Sequence, residues 1–143
     1  SPKLLKRAAI RSAEQLLGQP LIFSDVNVVQ WPRWFAAHGV PLSPATYALR
    51  FDRAYLVIEA AVQGLGFALE SARLAETSLK NGELVPVFAD RKGIQVHAHH
   101  LVYPEAHGKW GKVERFVRWL RREAVPTQPA AQIKGRRSSY QRA

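Results

Sequence analysis

The sequence predicts an α/β protein with a mixed, mainly parallel sheet that helices flank on both faces. Short apolar runs typical of buried strands alternate along the chain with segments of helical spacing. Of the 143 residues, 47% are hydrophobic, which is enough for a real core in one compact domain or in two small lobes. Alternating strands and helices favour a sheet that is covered on both sides.

The first part of the chain predicts a helix, a strand and a second helix. Ser12 and Gln15 have the spacing of a capping box for a short helix that Gly18 closes. The apolar run LIFS that follows predicts a buried strand. Pro32 suits the start of the next helix, and Gly39 suits its end.

The middle of the chain predicts a strand at about 46–51 and a strongly apolar helix after it. Asp52 is expected to cap this helix and Gly64 to end it in a left-handed conformation. Because only Glu59 and Gln63 interrupt its apolar residues, we expect one side to contact the sheet and the other a second surface. The run FALE predicts a further short strand, and SARLAE one more helical turn.

The last part predicts two strands and a helix. The run LVPVF and the longer run IQVHAHHLVYP have strand character. Residues 109–123 carry apolar side chains at alternating spacings of three and four, which is typical of a helix with one apolar stripe. Four arginines lie mostly away from that stripe: Arg115, Arg118, Arg121 and Arg122.

Composition narrows the class of protein. The net charge of +10 is partly carried by residues 125–143, which hold four basic and no acidic residues and are expected to be disordered. This tail could contact DNA phosphates, although a solvated tail is the simpler interpretation. The absence of cysteine excludes disulfides and thiolate metal sites. No apolar stretch reaches the roughly 20 residues of a membrane span, and no signal peptide is visible, so we expect a cytoplasmic protein.

No enzyme motif stands out. His97 and His99 would share one face of a strand, and such a pair can bind zinc, but no third ligand has a suitable spacing. The glycines of GLGFAL follow a helix rather than a strand, unlike a dinucleotide-binding loop. Neither a Walker loop nor a nucleophile elbow is present. We therefore expect no enzymatic activity, no metal and no cofactor, and a zinc-dependent enzyme is the remaining enzymatic alternative.

The tripeptide Asp52-Arg53-Ala54 lies where a predicted strand ends and a predicted helix begins. Ligands of open α/β sheets bind at the carboxyl ends of the strands, and helix N-termini favour carboxylates and phosphates. Ser24 and Asp25 follow the strand LIFS and should lie on the same rim. The alternative, which residue chemistry alone favours, is that Asp52 only caps its helix and Arg53 is solvated.

Six segments in order resemble the C-terminal effector-binding domain of LysR-type transcriptional regulators, in the branch of the glycine-cleavage activator and the β-lactamase regulator. The segments, which span residues 1 to about 124, are SPKLL, PLIFS with WPRWFAAHG, FDRAYLVIEAAVQGLGFAL, NGELVPVF, HHLVYP and KVERFVRWLRREA. The third, which resembles the family pattern A-x-x-G-x-G-x-A-L, is the most specific.

The resemblance implies two periplasmic-binding-protein-like lobes around a cleft. Residues 1–95 would form the second lobe, 96–124 the return strand and C-terminal helix of an incomplete first lobe, and 125–143 the basic tail. The sequence would then be truncated at its N-terminus, and DNA would be contacted through a missing N-terminal domain. A standalone solute-binding or protein-interaction module is the alternative function.

The resemblance also implies residue roles. A small effector, which we expect to be anionic, would lie in the cleft, and the apolar helix would contact a partner subunit of a homo-oligomer. The implied effector-binding residues are Ser24, Asp25, Asp52, Arg53, Ala54 and His99. The implied oligomer interface contains Tyr55, Leu56, Ile58, Glu59, Val62, Phe67 and Leu69.

Overall fold

The computed structural model describes residues 1–41, 47–88 and 93–124. These residues group into two compact units, here called unit 1 (described residues from Ser1 to Ile94) and unit 2 (described residues from Gln95 to 124). The predicted tail, 125–143, lies outside the described residues. No helix in the described part of the chain is both long and apolar enough to cross a membrane.

Helices and short parallel strands alternate through unit 1. Unit 2 contains one 3₁₀ turn and one longer helix. The elements in chain order are α1 (Pro2–Ala8), a 3₁₀ turn (Glu14–Leu16), β1 (Leu21–Ser24), α2 (Trp31–Ala37), β2 (Leu49–Phe51), α3 (Ala54–Val62), β3 (Phe67–Ala68), α4 (Glu76–Lys80), a second 3₁₀ turn (Glu105–His107) and α5 (Gly111–Glu123).

The described strands form one parallel sheet in the order β2-β1-β3. Ile22 is paired with Leu49 on one side and with Ala68 on the other. All three carboxyl ends therefore lie at the same edge of the sheet. This arrangement confirms the predicted class, an α/β fold with a parallel sheet between helices.

The two faces of the sheet are covered by different helices because side chains alternate along each strand. Leu21 packs with Phe35 of α2 and Phe67 of β3 in one buried cluster. Ile22, the next residue of β1, packs with Val57 of α3 in a second cluster. The connection from β1 to β2 contains α2 and covers one face of the sheet. The connection from β2 to β3 contains α3 and covers the other face.

Three glycine positions explain how these elements join. Gly39 and Gly64 have φ of 71° and 75°, so both helix ends are left-handed, as the sequence predicts for Gly64. At Gly66, an added Cβ would lie 2.5 Å from the Pro20 carbonyl oxygen. This position requires glycine because β1 and β3 approach each other there.

Several predicted elements are shorter in the structure or do not form. The predicted helix at Ser12 is a 3₁₀ turn, although the Gln15 side chain accepts from the Ser12 N–H at 3.2 Å, as one half of a capping box does. The predicted strands at 84–88 and 94–104 do not form: these described residues pair with no neighbouring strand. Helix α1 was not predicted; Ser1 caps it with its hydroxyl.

The prediction that Asp52 caps the apolar helix is wrong. Helix α3 begins at Ala54 after Arg53 in an extended conformation, and no side chain caps it. The Asp52 carboxylate instead accepts from the Arg53 guanidinium at 2.9 Å. An ion pair between neighbouring side chains thus takes the place of the expected cap.

Helix α5 confirms the helix predicted in the last part of the chain. No described residue of unit 2 is buried, and α5 keeps only Val113, Val117 and Leu120 half-buried. Phe116 and Trp119 are 49% and 47% exposed, with ring centroids 5.6 Å apart. The helical pattern is therefore present without a buried core beneath it.

Candidate functional site

The carboxyl ends of β1 and β2 are held together one residue beyond the last strand pair. The Asp25 N–H donates to the Phe51 carbonyl at 2.9 Å, which places Asp25 opposite the start of the segment that leads to α3. Because the chain leaves these two strands toward opposite faces, their ends form the kind of crevice where ligands of open α/β sheets bind. We call this edge the strand-end rim.

Asp25 is paired across the rim with Arg50 of β2. The Arg50 Nε lies 2.9 Å and 3.1 Å from the two carboxylate oxygens, and the Asp25 hydrogen bonds raise the pKa of Arg50. The guanidinium carbon also lies 4.9 Å from the centroid of the Phe23 ring. The pair fixes the direction of both side chains at the solvent side of the rim.

Arg53 and Ala54 form the entrance to α3. The Arg53 and Asp52 side chains are 61% and 67% exposed, so their ion pair is one that solvent screens strongly. Ala54 begins α3, whose first N–H groups receive no side-chain cap. The rim thus combines an exposed guanidinium with the start of a helix that no side chain caps.

Ser24 and Glu70 lie deeper than the rest of the rim. Ser24 is 3% exposed and is on the same face of β1 as Ile22. Extending the register of Ile22 with Ala68 by two residues places Glu70 opposite Ser24. Sequence reasoning missed Glu70 as a site residue; the signal that could have found it is its position as the acidic last residue of the predicted strand run FALE.

Burial raises the pKa of the Glu70 carboxyl, while the Ser24 hydroxyl and the Ser71 N–H act in the opposite direction. The Ser71 contact is a hydrogen bond of 3.3 Å to Oε2. The Ser24 contact does not meet hydrogen-bond geometry: the Ser24 Oγ and the Glu70 Oε1 have no partner among the described residues. Two polar atoms are therefore buried side by side without satisfied hydrogen bonds.

The loop between β1 and α2 is tied to both strand ends. Asn27 Nδ2 donates to the Leu69 carbonyl, and Gln30 Nε2 donates to the Ser24 carbonyl at 2.9 Å. Asn27 Oδ1 also accepts from the Val29 N–H at 3.2 Å. These bonds hold the rim in a fixed shape.

The predicted site residues fall into both units. Ser24, Asp25, Asp52, Arg53 and Ala54 share the strand-end rim of unit 1. His99 is exposed in unit 2 and is described with that unit. Within residues 1–41, 47–88 and 93–124, no three His, Asp or Glu side chains are grouped as metal ligands would be.

The predicted interface residues differ in exposure. Tyr55 is 67% exposed on α3, and Glu59 is exposed and accepts from Gln63 at 2.8 Å. Phe67 is 5% exposed and belongs to the core of unit 1, so it offers little surface to a partner. The remaining predicted residues are half-buried: Leu56, Ile58, Val62 and Leu69.

A family model, the LysR substrate binding domain, matches residues 1–125. An uncharacterized HTH-type transcriptional regulator, y4mQ of Sinorhizobium fredii, is 41% identical over 120 residues, which are 82% of this chain and 39% of that protein. The HTH-type transcriptional regulator PerR of Escherichia coli is 39% identical over 124 residues, 86% of this chain and 41% of that protein. The chain therefore spans about two fifths of the length of these relatives.

Among solved structures, the effector domain of the transcriptional regulator AmpR of Pseudomonas aeruginosa is similar to this chain. It is 34% identical, with a TM-score of 0.47, and the match covers 56% of this chain and 37% of that one.

Proposed function

We infer, from the premise that this chain belongs to the LysR substrate-binding-domain family, that it is the sensing part of a transcriptional regulator. The observation that carries this proposal is the strand-end rim: five of the six predicted effector-binding residues lie at one edge of the sheet in unit 1. Two of the similar proteins are HTH-type transcriptional regulators. Binding of DNA would belong to a part of the whole protein outside this sequence.

The effector in this proposal is a small molecule that carries a carboxylate. Arg53 supports it because Asp52, its partner among the described residues, is an exposed neighbour whose ion pair with it is worth little in water. An incoming carboxylate can therefore replace Asp52 on the guanidinium. The uncapped N–H groups of α3 add a partial positive charge at the same end.

Titration of a panel of mono- and dicarboxylates tests this proposal, with Arg53→Ala as the disabling variant. Arg7→Ala removes an equal charge from the exposed last turn of α1 and is the matched control. We expect one carboxylate to bind saturably, with Arg53→Ala weakening it about tenfold or more, the scale of a charge-assisted hydrogen bond. Equal affinity in both variants would contradict the proposal.

We also propose that α3 forms part of a homo-oligomer interface. The support is the exposed apolar surface that begins with Tyr55, which is 67% exposed beside the half-buried Ile58 and Val62. Light scattering of the Tyr55→Glu variant should then show a smaller assembly than the unaltered chain. An unchanged mass would remove this surface from the proposal.

A further inference from the structure

The loop between β1 and α2, residues 25–30, exposes two apolar side chains beside the charged groups of the strand-end rim. Val26 is 55% exposed and Val28 is 50% exposed, whereas the next residue, Val29, is 7% exposed and belongs to the core. A single exposed apolar side chain is ordinary, but two so close together on the edge where α/β sheets bind ligands suggest a recognition surface.

The loop cannot turn these two side chains inward. Gln30 Nε2 donates to the Asn27 carbonyl at 2.8 Å, and Asn27 Oδ1 accepts from the Val29 N–H at 3.2 Å. These bonds lie on both sides of Val28, and the burial of Val29 anchors the chain directly after it. The backbone is therefore held in a conformation that keeps the two other valines in solvent.

Valine suits a contact surface that is formed before the ligand arrives. Its branched side chain has few accessible rotamers, so it loses little conformational entropy when a ligand packs against it. An apolar ligand group placed there would leave water, and each methylene buried in this way is worth about fourfold in affinity.

The loop and the start of α3 flank the same crevice from opposite sides. The Asp25 N–H donates to the Phe51 carbonyl at 2.9 Å, which joins the two strand ends. Val26 follows Asp25 directly, and Arg53 lies two residues beyond Phe51. Because an extended chain spans about 3.6 Å per residue, each of these Cα atoms lies within about 7 Å of the Cα atom of the bonded residue on its own strand.

The loop side of the crevice offers apolar surface and no unpaired charge. Both carboxylate oxygens of Asp25 accept from the Arg50 Nε, at 2.9 Å and 3.1 Å. The Asn27 amide is used within the protein through both its oxygen and its nitrogen. The side chains that remain for a ligand on this loop are therefore Val26 and Val28.

We propose that Val26 and Val28 determine the specificity of the rim, and that the effector is a carboxylate with a branched or aromatic apolar substituent. The carboxylate binds Arg53 on the α3 side, and the substituent packs against the two valines on the opposite side. This inference rests on the proposed function, because it names the part of the effector that Arg53 does not recognise.

Titration of the 143-residue chain with acetate and isovalerate, followed by amide chemical shifts, tests this inference. The two acids share the carboxylate and differ only in apolar carbon. We expect saturable shifts at Val26, Val28 and Ala54, with isovalerate binding about tenfold more tightly than acetate. Equal affinities would overturn the inference and leave the carboxylate site at Arg53 standing. The absence of saturable shifts with isovalerate would also overturn it, and failure of the whole carboxylate panel would overturn the proposed function as well.

A double variant, Val26→Thr with Val28→Thr, separates apolar contact from loop shape. Threonine keeps the branched shape and replaces one methyl of each valine with a hydroxyl, so the preference for isovalerate should fall to about threefold or less. Val102→Thr makes the same change at a residue of unit 2 that is 85% exposed, and it should keep the full preference. Arg53→Ala should instead weaken both acids by a similar factor.

Two results with the double variant would contradict the assignment. One is a preference for isovalerate that stays near tenfold, and the other is a loss of affinity that acetate and isovalerate share equally. Because both valines are exposed, the substitutions should leave the fold intact, which far-UV circular dichroism checks.

Discussion

Helices α3 and α5 show how differently the two units place the apolar side chains of a helix. In α3 the side chains of Val57, Ala60 and Ala61 are buried against the sheet. In α5 no residue is buried, although its apolar and basic residues are separated more cleanly. The comparison teaches that periodicity identifies a helix, whereas burial depends on a second surface that the helix can cover.

The two units also differ in how their charged side chains are arranged. The rim of unit 1 holds ion pairs in which Asp25 and Asp52 each engage an arginine. The arginines of α5 are exposed in unit 2: Arg115, Arg118, Arg121 and Arg122. The charged side chains at the rim of unit 1 are therefore paired at the strand ends, whereas those arginines of unit 2 lie on an exposed helix surface.

The largest expected effect comes from a matched pair of phenylalanines. Phe35 is 0% exposed in the core of unit 1, so Phe35→Ala should lower the free energy of unfolding by about 3–5 kcal/mol. Phe116 is 49% exposed in α5, so Phe116→Ala should change it by about 0.5 kcal/mol or less. Urea denaturation measures both changes. Similar losses of unfolding free energy in the two variants would contradict the difference between α5 and the core of unit 1.

An intermediate effect is expected where β1 and β3 approach each other. Gly66→Ala would place a Cβ 2.5 Å from the Pro20 carbonyl oxygen and 2.9 Å from Ile22 Cγ1. The clash should cost about 1–3 kcal/mol of unfolding free energy. Gly18→Ala, where an added Cβ meets nothing within 4 Å, is the control and should be close to neutral. Equal stability of the two variants in thermal unfolding would contradict this packing.

A smaller effect is expected from the Glu70 carboxyl. Burial raises its pKa in the folded state, so the folded protein holds this proton more tightly than the unfolded chain does. The stability that the protonated Glu70 contributes is therefore fully present below the pKa of this group in the unfolded chain. It is lost as the pH rises through the raised pKa of the folded protein. Glu70→Gln should remove this part of the pH dependence and stabilise the protein at neutral pH by about 1 kcal/mol, the scale of an unsatisfied buried group.

Stability curves between pH 4 and 8 measure this effect, and Glu59→Gln is the control because Glu59 is exposed. If the free energy of unfolding of Glu70→Gln changes with pH as that of the unaltered chain does, the Glu70 carboxyl has the same pKa in the folded and unfolded states.

Much of unit 1 could be predicted from its sequence because the signals were local. The apolar run LIFS, the glycines at the helix ends and the proline at the start of α2 each act within a few residues. The Asp52 cap failed because its carboxylate had a competing partner in Arg53. The sequence pattern does not indicate which of the two, the helix N-terminus or the Arg53 guanidinium, the Asp52 carboxylate will bind.

Long-range pairing explains the other differences. The runs LVPVF and IQVHAHHLVYP have the composition of strands, but a strand forms only beside a partner strand, and the described residues supply none. Glu70 was missed for a related reason. Its place opposite Ser24 follows from the register of β3 against β1, which no local pattern specifies.

Hydrogen–deuterium exchange of the whole chain most directly tests the central claim, that the proposed effector site rests on a stable core in unit 1 and not in unit 2. Amides of β1 and α3 should exchange slowly because their elements pack in buried clusters. Amides of α5 should exchange within seconds to minutes, since a 13-residue helix with no buried residue is marginal in water. Equal protection of α3 and α5 would contradict the account.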